Sequence, residues 1–265
     1  MMISFRSIWG ITIRLLYVLK RDLNFMLASL YWPLLDILIW GFLGAWIAKS
    51  QPTSFQHYET VALLGILLWQ IIGRGCNIMI ISFAEELWSN NIVNMFSLPL
   101  CITEWIYGII LFYGIMMGIT SIFCMIAIFL LYNIPAWYMI STFLIFMPPL
   151  VLSAIWIGFT CLQIIVTLGR RGVEIGFIFG WFLLPFSGAY YPTDILPAWG
   201  QTISRYLPMS YVFQAMREYV SNQQDPTALL IKGYALSILY ATCSIIVFIY
   251  CFNRSKQTGL ARLVD

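Results

Sequence analysis

Long apolar runs, broken by short polar or proline-rich stretches, set the pattern of this chain. A helix needs roughly 20 apolar residues to cross the hydrocarbon core of a bilayer. Six stretches meet that length, at about 29–48, 60–83, 105–131, 136–168, 172–189 and 228–252. The fourth is too long for one straight span and holds Pro148 and Pro149, which predicts a kink or a broken start. Ahead of the first run the pattern changes. Phe5, Ile8, Leu15, Leu16, Leu19 and Leu23 share one side of a helical wheel, and Arg6, Arg14, Lys20 and Arg21 the other. That alternation predicts an amphipathic helix within 1–28, lying in the inner interface with its cations near anionic headgroups.

Two connecting segments have patterns of their own. Residues 84–104 hold helix formers up to Asn90, then apolar Ile92, Val93, Met95 and Phe96, with a stop at Pro99. This segment reads as a docking surface for a soluble partner or, equally, as an interfacial connector. Residues 185–221 are richer in turn formers. Pro185 and Gly188 should end the fifth run, and Pro197 suits the first turn of a new helix. Trp199, Ile203, Tyr206 and Leu207 would share one face of it; Pro208 would end it and Ser210 would cap the next. Two short helices between spans five and six predict a re-entrant outer hairpin, or an outer loop flat on the interface.

Composition narrows the class. Hydrophobic residues make up 61% of the chain and charged residues 9%, where soluble domains carry about 25% charge. A soluble globular enzyme and a disordered chain are both excluded. The mean hydropathy of +0.86 points to an all-α integral membrane protein, one transmembrane domain over 1–265. No signal peptide is expected, because no short apolar core and cleavage site follow the first charges.

Charge sets direction. With the N-terminus inside, the inner segments hold Arg6, Arg14, Lys20, Arg21, Arg170, Arg171, Arg254, Lys256 and Arg262. The outer ones hold only Lys49, Arg205, Arg217 and Lys232. That excess places both termini in the cytoplasm. The inner loop after the second span runs against the rule, with three acids and no Lys or Arg.

No catalytic set is visible. The P-loop pattern, G-x-S-x-G and H-E-x-x-H are all missing, and the single His57 sits in a short outer loop. Cys76, Cys101, Cys124, Cys161, Cys243 and Cys251 lie in or beside apolar runs with no C-x-x-C pair, so no disulfide framework, metal site or bound cofactor is expected. The chain reads as a conduit driven from elsewhere, not as an enzyme. Two charges fall inside spans, Asp36 and Arg74, each ~10–12 Å below the inner surface. Charges at such depth need partners, and an Asp36–Arg74 pair joining the first two spans is expected. Gly172, Gly176 and Gly180 open the fifth span as a small-xxx-small stripe, with a second pair at Gly114 and Gly118. Such stripes allow close helix contact, here within the chain or across a dimer.

The order of these features resembles the membrane subunit of type-2 ATP-binding-cassette (ABC) exporters. The run from Phe186 through Gly188, Pro192 and Pro197, followed by Leu207, Pro208 and Arg217, is similar to that family's outer motif. The stretch from Glu85 and Glu86 to Leu98 and Pro99 resembles its cytoplasmic coupling region. The resemblance implies a permease in a bacterial inner membrane, dimerised with a second copy and docked on a separate ATPase subunit. That partner carries the ATP and Mg²⁺, and its motion enters through Glu85, Glu86 and Trp88 and the N-terminal helix. The implied cargo is amphipathic or lipid-linked, a drug, lipid or glycolipid, with a polysaccharide of the O-antigen type as the alternative. Nothing in the chain points to nucleic acid. A channel or scaffold subunit and a lipid-modifying membrane enzyme are the readings of other classes.

Overall fold

A computed structural model of the chain describes residues 4–21, 23–50, 58–97, 100–221 and 225–263. His57, Leu98 and Pro99 lie outside them. The described residues form helices and turns and contain no strand. In chain order the helices are α1 (Phe5–Arg21), α2 (Leu23–Ser50), α3 (Tyr58–Trp88), α4 (Ile92–Ser97), α5 (Ile102–Tyr132) and α6 (Ala136–Leu168). They continue with α7 (Arg171–Phe182), α8 (Leu184–Ser187), α9 (Ala198–Tyr206), α10 (Pro208–Ser221) and α11 (Thr227–Thr258). Short 3-10 turns cover Thr193–Ile195 and Leu260–Leu263.

Among the described residues, five helices are long and apolar enough to cross a membrane: α2, α3, α5, α6 and α11. The chain is therefore all-α with the character of a multi-pass membrane protein. The run at 172–189, expected as a single span, is instead two pieces, 12 residues in α7 and four in α8. Pro185 cannot donate to the Trp181 carbonyl, and the helix shifts its register at Leu183. The other proline expectation also changes. α6 runs as one 33-residue helix through Pro148 and Pro149, with no broken start.

α3 is the central element. Its side chains from Ala62 to Trp69 are buried without a break, as a helix surrounded by others must be. Small residues set the close approaches. The Cys76 and Cys161 thiols of α3 and α6 meet at 3.7 Å. α7 lies back along α6. A β-carbon on Gly172 would come within 2.7 Å of the Ile164 carbonyl oxygen, and one on Gly180 within 2.5 Å of Cys76 Sγ. The glycine stripe is thus an internal helix contact. Gly114 and Gly118 face open space, with nothing within 4 Å of a β-carbon. Ala189, past the end of α8, abuts Gly65 near the opposite end of α3 from Trp88.

α1 does more than present a lipid-facing side. Ile11, Leu15, Leu16 and Leu19 pack on the core while Phe5 is exposed. Thr12 Oγ1 bridges the carbonyls of Ile8 and Gly108, at 3.0 and 3.1 Å, fastening α1 to the start of α5. Ser4 N–H donates to Glu104 Oε1 at 2.8 Å, and the other oxygen of Glu104 accepts from Cys101 N–H at 3.1 Å. One buried carboxylate therefore holds the beginnings of both helices.

Candidate functional site

Pro33 lies inside α2. It has no N–H, so the carbonyl of Ser29, four residues earlier, lacks its helical donor. In hydrocarbon such a carbonyl costs several kcal/mol unless something else satisfies it. Arg74 of α3 does so, donating from Nη2 to the Ser29 oxygen at 2.5 Å. The intramembrane arginine thus has a structural task that follows from a proline on the neighbouring helix.

Asp36 stands one turn beyond Pro33 and Gln70 one turn before Arg74. Gln70 Nε2 donates to Asp36 Oδ2 at 3.1 Å. The sequence placed Asp36 with Arg74; the hydrogen bonds drawn by the structure are Gln70 to Asp36 and Arg74 to Ser29. Asp36 and Arg74 nevertheless face one cavity of about 480 Å³, with Gln70, Gly73 and Asn77 of α3. Trp32 of α2 and Phe177 and Trp181 of α7 complete its walls. Its lining is amphipathic: a carboxylate, a guanidinium and two amides together with three aromatic rings. Gly73 keeps the α3 wall low. Among the described residues the buried Trp69 indole N–H has no hydrogen-bond partner, and it lies 3.4 Å from where a Gly73 β-carbon would sit.

A second cluster lies at the far end of α3, around Glu86. Glu86, read from the sequence as a partner-facing acid, is 4% exposed. It accepts from Arg14 Nη2 at 2.6 Å and from Asn91 Nδ2 at 2.9 Å. Arg14 Nη1 also reaches Met95 Sδ at 3.4 Å. Asn90 takes a left-handed conformation, φ 54°, and turns the chain from α3 into α4. Arg170, in the connection from α6 to α7, donates to the Leu87 carbonyl and to Asn90 Oδ1, at 3.2 and 3.0 Å. α1, the end of α3, α4 and the α6–α7 turn are therefore tied into one platform. Glu85 is half-buried beside a small apolar cavity with Leu15 and Leu19. Trp88 at 52% and Val93 at 41% are the large apolar side chains exposed where α3 turns into α4.

Breaking the tie at Arg14 leaves a carboxylate buried with one amide donor. Because Arg14 is itself half in solvent, Arg14→Ala is expected to cost about 1–3 kcal/mol, at or below the low end for a severed buried pair. Adding Glu86→Gln removes the stranded charge and should recover part of that loss. Hydrogen exchange over residues 5–21 checks it: protection falls in the single variant and partly returns in the double. Equal exchange in both would show that the pair does not hold α1.

The segment at 185–221 is held from within by arginine. Gly188 has φ +74° and starts the turn that Tyr191 and Pro192 complete. Arg217 of α10 donates to the Tyr191 carbonyl at 2.8 Å, pinning that turn to the helix. Pro197 sits immediately before α9 and Pro208 opens α10, one residue after the break at Leu207. Ser210 does not cap α10. Its hydroxyl donates to the carbonyls of Ser204 and Leu207, at 2.5 and 2.8 Å, and Pro208 is what denies Ser204 its helical donor. The buried edge of α9 is Gly200, Ser204 and the following Leu207, with Trp199 and Tyr206 exposed. The sequence had grouped Trp199 and Tyr206 with Leu207. α10 is packed on α3, α6 and α11: Phe146 meets Tyr219 edge-on at 5.8 Å, and Val212 fills the space beside Gly233.

Comparison with protein-family models, with curated proteins and with solved structures finds no match.

Proposed function

We propose that the chain is the membrane permease subunit of an ATP-driven exporter of the type-2 ABC class, working with a separate ATPase and a second permease copy. The observation that carries this reading is the cavity between α2, α3 and α7. It brings Asp36, Gln70, Arg74 and Asn77 together with Trp32, Phe177 and Trp181 beside two helices able to cross a membrane, α2 and α3. A path of this character suits a cargo with a polar head and an apolar body. The cargo is an amphipathic drug, lipid or glycolipid moving outward, in a bacterial inner membrane.

Six spans fit the geometry if α7 and α8 together form a short fifth one. From Gly172 to Gly180 the helix rises ~12 Å. From Cys76, beside Gly180, to Gly65, beside Ala189, α3 rises ~16 Å more. The climb nearly matches a ~30 Å hydrocarbon core. α9 and α10 then dip back as a re-entrant hairpin, and both termini stay cytoplasmic. The tied platform of α1, α3 and α4 offers Trp88 and Val93 to the ATPase, while Glu86 transmits motion from inside. ATP and Mg²⁺ belong to the partner. Nucleotide must favour one arrangement of the pair over the other for transport to follow.

The test is co-expression with a candidate ATP-binding-cassette ATPase subunit from the same organism. The expected result is a stable complex whose ATP-dependent export of a fluorescent amphiphile from vesicles falls about tenfold or more in Asp36→Leu, the worth of one charge-assisted hydrogen bond. Assembly of the complex should be unchanged. Full export by Asp36→Leu, or export by the permease alone, overturns the reading.

A further inference from the structure

At the inner ends of α6 and α11 a groove of about 300 Å³ opens outward from the bundle. Val166 and Thr167 of α6 form one wall; Tyr250, Cys251, Arg254 and Ser255 of α11 form the other. The walls are preformed. α6 and α11 pack along their lengths, with Ser153 and Ser237 hydroxyls at 3.2 Å and Gln163 Nε2 donating to the Ser244 carbonyl at 2.8 Å. No carboxylate lines the groove. The hydroxyl of Thr167 is turned onto its own helix's carbonyls, leaving Arg254 as its one cation. Arg254 is exposed and, among the described residues, its guanidinium makes no ion pair or hydrogen bond.

Arg254 follows directly on the apolar part of α11, with Tyr250 one turn deeper. In a bilayer those are the depths of the phosphate and of the glycerol–acyl boundary. A soluble anion would meet only the guanidinium here. A phospholipid meets the guanidinium with its phosphate and the apolar walls with its chains. Basic pockets between spanning helices on the cytoplasmic side hold acidic headgroups for this reason. We propose that this groove is a binding site for an anionic phospholipid, with Arg254 contacting the phosphate and Thr167 and Tyr250 bounding the space it fills. The inference needs α11 to cross the membrane with its C-terminal end inside, and it is independent of any export activity.

Native mass spectrometry of the purified chain in mixed micelles of phosphatidylglycerol and phosphatidylcholine tests it without the ATPase. Wild type should retain phosphatidylglycerol preferentially. Arg254→Gln should lower that preference about fivefold, the worth of one cation near a headgroup. Arg254→Lys should keep most of it. Thr167→Trp, which fills the groove and leaves the charge, should lose the preference as Arg254→Gln does. Both side chains are exposed, so neither change removes core packing. Equal retention of the two lipids by wild type overturns the proposal. So does an unchanged preference in Thr167→Trp, which would mean that Arg254 merely sits among bulk headgroups. Displacement of the lipid by millimolar glycerol phosphate would assign the site to a soluble anion instead.

Discussion

Gly172→Ala is expected to destabilise the fold by about 3 kcal/mol, while Gly114→Ala leaves it unchanged or raises it by up to ~1 kcal/mol. Both are glycines in small-xxx-small pairs, so their sequence context makes them look alike. The surroundings separate them. A β-carbon at 172 would lie 2.7 Å from the Ile164 carbonyl oxygen and 2.8 Å from Ile165 Cα. These are backbone atoms of α6 that cannot rotate away. α7 is also held close to α6 by a connection of two residues, Gly169 and Arg170, and Gly169 has φ +65° with Leu263 backbone packed against it. The two helices cannot part by a small tilt. At 114 nothing lies within 4 Å, and alanine gains its helix propensity. Thermal unfolding in detergent, followed by tryptophan fluorescence, should show a large drop for Gly172→Ala and none for Gly114→Ala. Gly65→Ala is expected to behave like Gly172→Ala, because its β-carbon would overlap the Ala189 carbonyl oxygen. Equal midpoints for the two glycine pairs would mean that α7 does not pack as described.

Five of the six apolar runs became long helices because span length is written directly in composition. The run at 172–189 did not become one long helix, for a local reason. Pro185 and Gly188 cut the helix within it, as its turn formers predict, although its hydropathy alone reads as a span. Hydropathy sums over a window and does not register where an amide is missing. The breaks at Pro197 and Pro208 were legible for the same backbone reason, since each lies at the edge of a short element. Side-chain partners were harder. Glu86 was given to a partner contact by the resemblance, and the cations of α1 were assigned to lipid; Arg14 lies 72 residues away, and only α1 folding back onto α3 brings it to 2.6 Å. Gln70 drew no notice, being uncharged, yet it holds Asp36. The partner of Arg74 was readable in principle. A proline inside a span exposes the carbonyl four residues before it, and Pro33 with Ser29 stands at the depth of Arg74. Matching charges alone passed over a carbonyl.

That carbonyl makes Arg74→Leu the most damaging single change expected in the cavity. The substitution takes from the Ser29 oxygen the donor that Arg74 supplies and removes the cation facing Asp36, at a cost of about 3 kcal/mol or more. The two losses can be told apart by changing Pro33. Alanine there restores an N–H to position 33, and the Ser29 carbonyl regains its helical donor. Pro33→Ala alone should be tolerated, because alanine is the better helix former by ~3 kcal/mol and that gain offsets the small packing loss. In the Pro33→Ala background, Arg74→Leu should cost about 1–2 kcal/mol less than in wild type, a coupling that a double-mutant cycle on thermal midpoints reads directly. Transport should not recover with the fold, since the double variant still presents Asp36 to the cavity without its opposing cation. Additive effects of the two substitutions would mean that Arg74 stabilises the chain through some group other than the Ser29 carbonyl. Restored transport in the double variant would mean that the guanidinium serves the helix alone and takes no part in the path.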